Sequence, residues 1–322
     1  MKLGIALASA LAVLPVLEIA LRIWNPSAVQ LFKERFQGTP GERVLVIDRA
    51  LDVHPQYGIF QADERLGYRP VLGGKTYDVH GAKRNEYSLE KPADKRRLLF
   101  VGDSVTDRAR IIEALHEELG EGLEYWNAGI VGYASQQELG YYRDYLGGIV
   151  ADHVILTFHL NDFETTPVTF MDGDNLVAVY GRLGSARPNA WLLGHSYVYR
   201  FYWTERMGHT EVSRSLSIET EVEDALRGFR DLTRERGAEF TVLVLPWLLP
   251  QDQWNGPKRQ NHEHVLAMLE RLGIRHYTFL DTLDAAVADE VEIQEPPGDP
   301  QHPSLEFARR MAHDLLARGF QP

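Results

Sequence analysis

The chain has 322 residues, of which 44% are hydrophobic and 25% charged, a composition typical of globular proteins. Its formal net charge of -12 argues against nucleic-acid binding, because proteins that bind nucleic acid carry basic surfaces. The sequence contains no cysteine, which excludes a thiol nucleophile, a thiolate zinc site and disulfide bonds. The length allows one large domain with additions.

The first 25 residues are mostly apolar. Lys2 precedes an apolar stretch from Leu3 to Trp24 that only Glu18 and Arg22 interrupt. A helix of this length reaches the roughly 20 residues that a bilayer span needs. We predict an uncleaved signal anchor over residues 1–25, a transmembrane helix, in preference to a cleaved signal peptide or a buried helix. With Lys2 inside, the remainder would be extracytoplasmic, on the periplasmic or cell-surface side.

Residues 26–95 carry glycine, proline and charge at intervals, without a long helical period. Short strand-like pieces occur at Arg43 to Ile47 and at Lys75 to Val79. We predict a stalk and an extended segment that packs on a main domain over residues 96–322.

From residue 96 onward, apolar runs alternate with amphipathic stretches. Near-continuous apolar runs are typical of strands buried on both faces of a sheet. The predicted strands are Leu98–Val101, Tyr125–Ile130, Val154–Phe158, Phe240–Leu245 and His276–Leu280. The predicted helices are Arg108–Leu119, Gln136–Tyr145, Glu219–Arg236, Glu263–Leu272 and Pro303–Arg318. This alternation predicts an α/β fold with a doubly wound parallel sheet.

Residues 163–217 break this alternation and read as an insertion. Asp172-Gly173-Asp174-Asn175 predicts the turn of a β-hairpin between Val168–Met171 and Leu176–Tyr180. Six aromatic residues follow, namely Trp191, Tyr197, Tyr199, Phe201, Tyr202 and Trp203. They indicate either a lid or sugar-stacking wall, or a small satellite core beneath a loop.

Gly102-Asp103-Ser104 ends the first predicted strand and precedes the helix predicted from Arg108. Such a turn presents a side chain at the carboxyl edge of the sheet, where open α/β sheets bind ligands. The positive end of a helix behind Ser104 would stabilise a developing oxyanion. The alternative is that Asp103 or Ser104 only caps the helix.

Four short blocks lie at or near the carboxyl ends of predicted strands. They are Gly102-Asp103-Ser104, Asn127 to Gly132, His159-Leu160-Asn161-Asp162 and Asp299-Pro300-Gln301-His302. In this order they resemble the SGNH (GDSL-type) hydrolase superfamily, in its membrane-anchored bacterial form. The resemblance runs from about residue 96 to the C-terminus and implies a flavodoxin-like, three-layer α/β/α fold.

The resemblance also implies the roles of the site residues. Ser104 would be the nucleophile and His302 the base that accepts its proton, with Asp299 orienting the imidazole. The oxyanion of the tetrahedral intermediate would bind the backbone N–H of Ser104, the backbone N–H of Gly132 and the side-chain amide of Asn161.

Each assignment has an alternative. Gly129 is a second candidate for the donor role of Gly132, and Asn161 has the option of capping the following segment. Asp103 and Asp162 are expected to hold loops through backbone hydrogen bonds rather than to react. His302 is one of 12 histidines, and its Asp-x-x-His context before the final helix distinguishes it.

Three positions depart from the family pattern. His159 and Phe307 stand where glycine is common, and Val105 follows the nucleophile in place of Leu or Phe. None of these changes removes a reacting group. His159 would narrow the acyl pocket, which affects the substrate more than the reaction.

The predicted function is that of a serine esterase that cleaves a small acyl ester, such as acetyl, from a carbohydrate or lipid-like substrate through an acyl-serine. The alternatives are an O-acyltransferase that acts on an exported polysaccharide and, less favoured, a non-catalytic glycan-binding protein.

No cofactor or metal is expected, since phosphate-cradling glycine motifs are absent and the imidazoles of His262 and His264 would diverge on a helix. The expected partners are the acylated substrate and, through residues 1–25, a membrane.

Overall fold

The computed structural model describes residues 2–26, 44–48, 60–63, 65–163, 166, 168–172, 175–179, 189–208 and 216–322. The chain divides into two compact units. Unit 1 comprises residues 1–69 and 165–217, and unit 2 comprises residues 70–164 and 218–322. Most of the insertion predicted from the sequence therefore groups with the N-terminal residues.

The strands are β1 (Val44–Asp48), β2 (Phe60–Asp63), β3 (Gly67–Pro70), β4 (Arg96–Gly102), β5 (Leu123–Gly129), β6 (His153–His159), β7 (Val168–Asp172), β8 (Asn175–Val179), β9 (Glu239–Leu245) and β10 (Arg275–Thr278). The helices are α1 (Lys2–Trp24), α2 (Ser104–Asp107), α3 (Arg110–Leu119), α4 (Ser135–Asp144), α5 (Ala190–His195), α6 (Tyr197–Gly208), α7 (Leu216–Glu235), α8 (Gly256–Leu272), α9 (Leu280–Ala288) and α10 (Leu305–Ala317). Short 3-10 turns occur at Gly120–Gly122, Leu160–Asp162 and Gln251–Gln253.

Unit 2 contains a five-stranded sheet in the order β5-β4-β6-β9-β10. All four strand pairs are parallel, which confirms the predicted parallel sheet. Numbered along the chain, the order is 2-1-3-4-5, the doubly wound order of flavodoxin-like folds. The direction of strand addition reverses between β4 and β6, and ligands bind outside the carboxyl ends of the strands at such a point.

The centre of the sheet is apolar on both faces. Leu98, Leu99, Phe100 and Val101 of β4 are at most 1% exposed. Side chains of successive strand residues point to opposite faces, so both faces of β4 must be covered. The uninterrupted apolar run in the sequence is the direct cause of this central position.

Helices cover the two faces of the sheet. Tyr142 of α4 stacks on Phe229 of α7 at 5.7 Å between ring centroids, and Glu223 of α7 pairs with Arg271 of α8 at 2.6 Å. On the other side, α3 packs against α10. Right-handed crossovers place α4, α7 and α8 on one face and α3 on the opposite face, giving three layers.

The helices α8 and α9 of unit 2 differ from the sequence prediction. α8 begins at Gly256 rather than at Glu263, with the side chain of Asn255 accepting from the backbone N–H of Lys258 at 3.1 Å. α9 was not predicted, because the strand was extended to Leu280, where this helix begins. The strand predicted over 75–79 is also wrong, since this segment forms only an isolated bridge between Tyr77 and Lys83.

Unit 1 contains a three-stranded antiparallel sheet in the order β1-β8-β7. The hairpin of β7 and β8 was predicted. The side chain of Glu18 in α1 accepts hydrogen bonds from the backbone N–H groups of Tyr197 and Val198 at 2.9 and 3.0 Å. α1 thereby caps the N-terminus of α6.

The aromatic residues of unit 1 divide between the two predicted roles. Trp203 is 6% exposed and stacks on Tyr199 at 6.0 Å, as in a small core. Trp191 and Tyr202 are 65% and 52% exposed. The satellite-core interpretation therefore fits the first pair, and the other two rings face solvent within this unit.

The N-terminal apolar stretch forms α1, with Pro15 inside the helix. Across the residues that the structure describes, no helix combines the length and the apolar character needed to cross a membrane. The predicted transmembrane anchor over residues 1–25 is thus not supported, and the extracytoplasmic location stays a prediction.

His153, the first residue of β6, makes the stability of unit 2 pH-dependent. Its side chain is fully buried and contacts the hydroxyl of Thr241 at 2.8 Å, and burial lowers the pKa of His153 to about 4. Between pH 6.5 and 4 the unfolded chain binds a proton that the folded chain does not. The free energy of unfolding should therefore decrease as the pH falls from 6.5 to 4. His153 should account for up to about 3 kcal/mol of this decrease.

Urea unfolding of the wild type and of His153→Gln at several pH values measures this effect. The glutamine retains a polar group near Thr241 but does not titrate. The difference in unfolding free energy between wild type and variant should shrink as the pH falls from 6.5 to 4. A difference that stays constant over this range would contradict the prediction.

Candidate active site

The candidate nucleophile lies on a short turn after β4. Asp103 accepts a hydrogen bond from the backbone N–H of Val105 at 2.8 Å, so it caps α2, of which Ser104 is the first residue. Ala109 has a φ of 63°, which separates α2 from α3. The helix predicted from Arg108 begins at Arg110 as α3, whereas the helix that begins at Ser104 is the short α2, so the helix dipole at this serine is that of a single turn.

The structure brings Ser104, His302 and Asp299 into one hydrogen-bonded chain. Nε2 of His302 lies 2.8 Å from Oγ of Ser104. Nδ1 of His302 lies 2.6 Å from Oδ2 of Asp299. These contacts join residues 198 positions apart in the sequence. They have the geometry in which a histidine accepts the proton of a serine while a carboxylate fixes its tautomer.

Asp299 is held as a carboxylate. Burial alone would raise its pKa, but the backbone N–H of Gln301, the imidazole of His302 and the guanidinium of Arg108 together lower it. The Gln301 N–H donates to Oδ1 at 3.0 Å, and Nη1 of Arg108 lies 3.6 Å from Oδ2. The anion required to balance a protonated His302 is thus present at neutral pH.

Two arginines tie the loop of His302 to the segment of Ser104. Nη1 of Arg108 donates to the backbone oxygen of Glu295 at 2.5 Å, and Nη2 of Arg110 contacts Oε1 of Glu295 at 2.5 Å. The backbone N–H of Glu295 in turn donates to the backbone oxygen of His302 at 2.9 Å. Arg108 and Arg110 were not predicted as site residues, because in the sequence they resemble residues on the exposed side of a helix.

Asn161 lies in the 3-10 turn after β6, beside the nucleophile turn. Its Nδ2 donates to Oδ2 of Asp103 at 3.1 Å. Asp162 accepts from the backbone N–H of His159 at 3.0 Å. Asp103 and Asp162 therefore hold loops, as expected. One hydrogen of the Asn161 amide is engaged by Asp103, and an amide carries two.

The structure separates the two glycines that were candidates for an oxyanion donor. The backbone N–H of Gly129 donates to Oδ1 of Asn127 at 2.9 Å, so it is already engaged. Gly132 has a φ of 74°, a conformation that favours glycine, and follows the end of β5 by three residues. Gly132 therefore stays the candidate.

Gly129 has a different function, which is to admit the nucleophile turn. A Cβ atom on Gly129 would lie 2.3 Å from the backbone nitrogen of Asp107 and 2.6 Å from the carbonyl carbon of Thr106. We expect Gly129→Ala to displace α2, to cost about 1–3 kcal/mol of unfolding free energy and to lower esterase activity. Gly148→Ala is the control, because nothing lies within 4 Å of its Cβ position.

Thermal unfolding and turnover of an activated ester test both glycine variants. Gly148→Ala should match the wild type in both measurements. If Gly129→Ala keeps wild-type activity, displacement of the Ser104 turn does not affect catalysis and the prediction is wrong.

Two residues outside the four blocks support the nucleophile turn. The hydroxyl of Tyr77 donates to the backbone oxygen of Gly129 at 2.8 Å, and Nζ of Lys83 pairs with Oδ1 of Asp107 at 2.6 Å. Burial, and then the charge of Asp107, raise the pKa of Tyr77 well above its usual value. No sequence signal pointed to these residues, since their contacts depend on tertiary structure alone.

Glu138 of α4 adds a buried carboxyl group near Asp103. It is fully buried, and its oxygens contact no hydrogen-bond donor among the described residues. Burial and the charge of Asp103 raise the pKa of Glu138 well above its usual value.

Comparisons with known proteins give weak similarities. No family model matches the sequence, and no curated protein matches it. The chain is similar to the crystal structure of an acetylxylan esterase from Geobacillus stearothermophilus, with 16% identity over 70% of this chain and 95% of that chain and a TM-score of 0.44. It is also similar to an alpha/beta hydrolase enzyme from the metagenome of Lake Arreo in Spain, with 15% identity over 69% and 94% and a TM-score of 0.46.

A third similar structure is described as a putative GDSL-like lipase from Parabacteroides merdae, with 16% identity over 73% of this chain and 100% of that chain and a TM-score of 0.44. Similarities at this level do not decide a function, which the geometry of Ser104, His302 and Asp299 addresses directly.

Proposed function

We propose that the chain is a serine esterase of the SGNH type that cleaves a small acyl ester, such as acetyl, from a carbohydrate or lipid-like substrate. The observation that carries the proposal is the hydrogen-bonded chain from Ser104 through His302 to Asp299, with distances of 2.8 and 2.6 Å. These hydrogen-bond distances support an enzymatic function over that of a non-catalytic glycan-binding protein of the same fold.

In the first half of the reaction, Oγ of Ser104 attacks the ester carbonyl while Nε2 of His302 accepts its proton. Asp299 stabilises the resulting imidazolium through Nδ1. The negative charge on the former carbonyl oxygen is bound by the backbone N–H of Ser104, by that of Gly132 and by Nδ2 of Asn161. Each such donor typically contributes about 3 kcal/mol to the stability of the transition state.

The tetrahedral intermediate then collapses. The bond to the leaving alcohol breaks, His302 returns the proton to that alcohol, and an acyl-serine remains. In the second half, a water molecule attacks the acyl-serine while His302 accepts one of its protons. When this second intermediate collapses, the bond between the acyl carbon and Oγ breaks, His302 returns the proton to Oγ and the carboxylic acid leaves, so protons and bonds balance over the cycle.

An O-acyltransferase would use the same residues, with a sugar hydroxyl in place of water in the second half. The test compares full-length wild type and Ser104→Ala on p-nitrophenyl acetate and butyrate, with and without a panel of sugars. We expect Ser104-dependent release with water alone, faster for acetate than for butyrate. If release of p-nitrophenol requires a sugar and yields an acylated sugar, the chain is a transferase and the esterase proposal is wrong.

A fluorophosphonate probe supplies a second measurement that needs no knowledge of the substrate. The probe labels a serine that a neighbouring base activates, so we expect it to label the wild type and not Ser104→Ala. The absence of both labelling and ester turnover in the folded wild type would overturn the proposal.

A further inference from the structure

His159, the last residue of β6, contacts Asn161 of the candidate oxyanion site. Its side chain is fully buried. The ring meets that of Trp247 edge to face, at 4.9 Å between centroids and an interplanar angle of 72°. Its own backbone N–H donates to Asp162. Packing thus fixes the position of this imidazole.

The His159 ring contacts the side chain of Asn161. Nδ1 of His159 lies 2.5 Å from Oδ1 of Asn161. At the other end of the same amide, Nδ2 donates to Oδ2 of Asp103 at 3.1 Å. A carboxylate only accepts hydrogen bonds, so the NH₂ group must face Asp103 and the amide oxygen must face His159.

The amide orientation fixes the proton on His159. Because Oδ1 of Asn161 is an acceptor, Nδ1 of His159 must carry the hydrogen. Burial lowers the pKa of His159 despite the nearby charge of Asp103, so the ring is neutral and its only N–H is at Nδ1. Nε2 is then the nitrogen without hydrogen.

A competing tautomer would make Nδ1 an acceptor for the backbone N–H of Asn161, which lies at 3.3 Å. It would place two acceptors 2.5 Å apart. It would also bury an N–H at Nε2, an atom that has no hydrogen-bond partner within the described part of the chain. An unpaired buried donor costs about 1–3 kcal/mol, so the tautomer with hydrogen on Nδ1 is favoured.

We propose that His159 is a positioning residue that aims the Asn161 amide at the oxyanion. Its Nδ1–H holds Oδ1 while Asp103 holds one hydrogen of Nδ2, and the second hydrogen remains for the substrate oxygen. This inference rests on the proposed esterase function. Without His159 only Asp103 restrains the terminal torsion of Asn161, which is intrinsically broad, and a less preorganised donor stabilises the transition state less.

The kinetic test uses p-nitrophenyl acetate with His159→Phe and His159→Asn. Phenylalanine keeps a ring against Trp247 but removes the N–H, whereas asparagine places an amide N–H close to the position of Nδ1. We expect His159→Phe to lower kcat by about 10-fold to 100-fold, less than the loss of a donor itself, with KM little changed. His159→Asn should recover most of kcat.

A double-mutant cycle with Asn161→Ala separates positioning from a general structural effect. If His159 acts through Asn161, adding His159→Phe to Asn161→Ala should cause no further loss of kcat. Losses that multiply would overturn the inference, as would a wild-type kcat in His159→Phe.

A measurement on the wild type reports the tautomer of His159 directly. In a sample labelled with ¹⁵N-histidine, NMR reports which ring nitrogen carries hydrogen, and the signal missing from His159→Asn or His159→Phe identifies His159. We expect a neutral ring with hydrogen on Nδ1. A ring with hydrogen on Nε2 or on both nitrogens would overturn the inference.

Failure of this inference is distinguishable from failure of the proposed function. If the fluorophosphonate probe labels Ser104 and the wild type turns over the ester, the function stands and the variants decide the role of His159. If neither occurs, the function fails, and the inference about the oxyanion falls with it.

Discussion

Replacing Ser104 by alanine is expected to lower kcat for p-nitrophenyl acetate by about 10³-fold or more. The variant keeps the oxyanion donors but has no nucleophile for His302 to activate, so only a slow direct attack of water, assisted by those donors, remains. Ser104 is half-buried at the start of α2, and the loss of one oxygen there should leave the unfolding free energy within about 0.5 kcal/mol.

The matched control is Ser135→Ala. Ser135 is 1% exposed, and its hydroxyl has no hydrogen-bond partner within the residues that the structure describes. This variant also removes one hydroxyl from unit 2, but one outside the hydrogen-bonded chain of Ser104, His302 and Asp299, and it should keep wild-type turnover. Equal activity of Ser104→Ala and Ser135→Ala would show that the ester is cleaved elsewhere.

Asp299→Asn is expected to lower kcat by about 10⁴-fold while the fold is retained. The backbone N–H of Gln301 donates to Oδ1 at 3.0 Å, so the oxygen of an asparagine would stay at that position. Its NH₂ group would then face Nδ1 of His302, which would have to accept. His302 would carry its hydrogen on Nε2, the atom that must take the proton of Ser104.

Asp289→Asn is the control for this second variant. Asp289 pairs with Arg310 at 2.6 Å, and its side chain is 60% exposed, so the same chemical change there should leave turnover unaffected. Steady-state kinetics and thermal unfolding of both variants test the prediction. A kcat for Asp299→Asn within 10-fold of the wild type would mean that Asp299 does not orient the base.

Local patterns were sufficient for the sheet of unit 2. The strands β4, β5, β6 and β9 coincide with apolar runs, because strands buried on both faces leave little room for polar residues. β1 shows the opposite case. It was expected as a piece of a stalk, but it pairs with β8, about 130 residues further along the chain, and no local pattern encodes such a partner.

The candidate site was predictable where chemistry restricts the residue type. A serine nucleophile, a histidine base and an orienting carboxylate have few substitutes, so the resemblance of the four blocks to a known superfamily was enough to predict Ser104, His302 and Asp299, and the structure places them in contact. The short helix α2 and its end at Ala109 were not predicted, because Ala109 adopts a φ of 63° and alanine carries no preference for that conformation. Tertiary contacts at the turn determine it.

The separation of Ser104 and His302 by 198 residues has a consequence for the timing of activity during synthesis. A chain emerges from the ribosome N-terminus first, so the nucleophile and Asn161 appear long before the base. α10, which packs on α3 beside the nucleophile turn, follows later still. On the proposed mechanism, a nascent or shortened chain that stops before residue 302 is inert towards esters. The appearance of esterase activity therefore reports that synthesis has passed residue 302 and that unit 2 has folded.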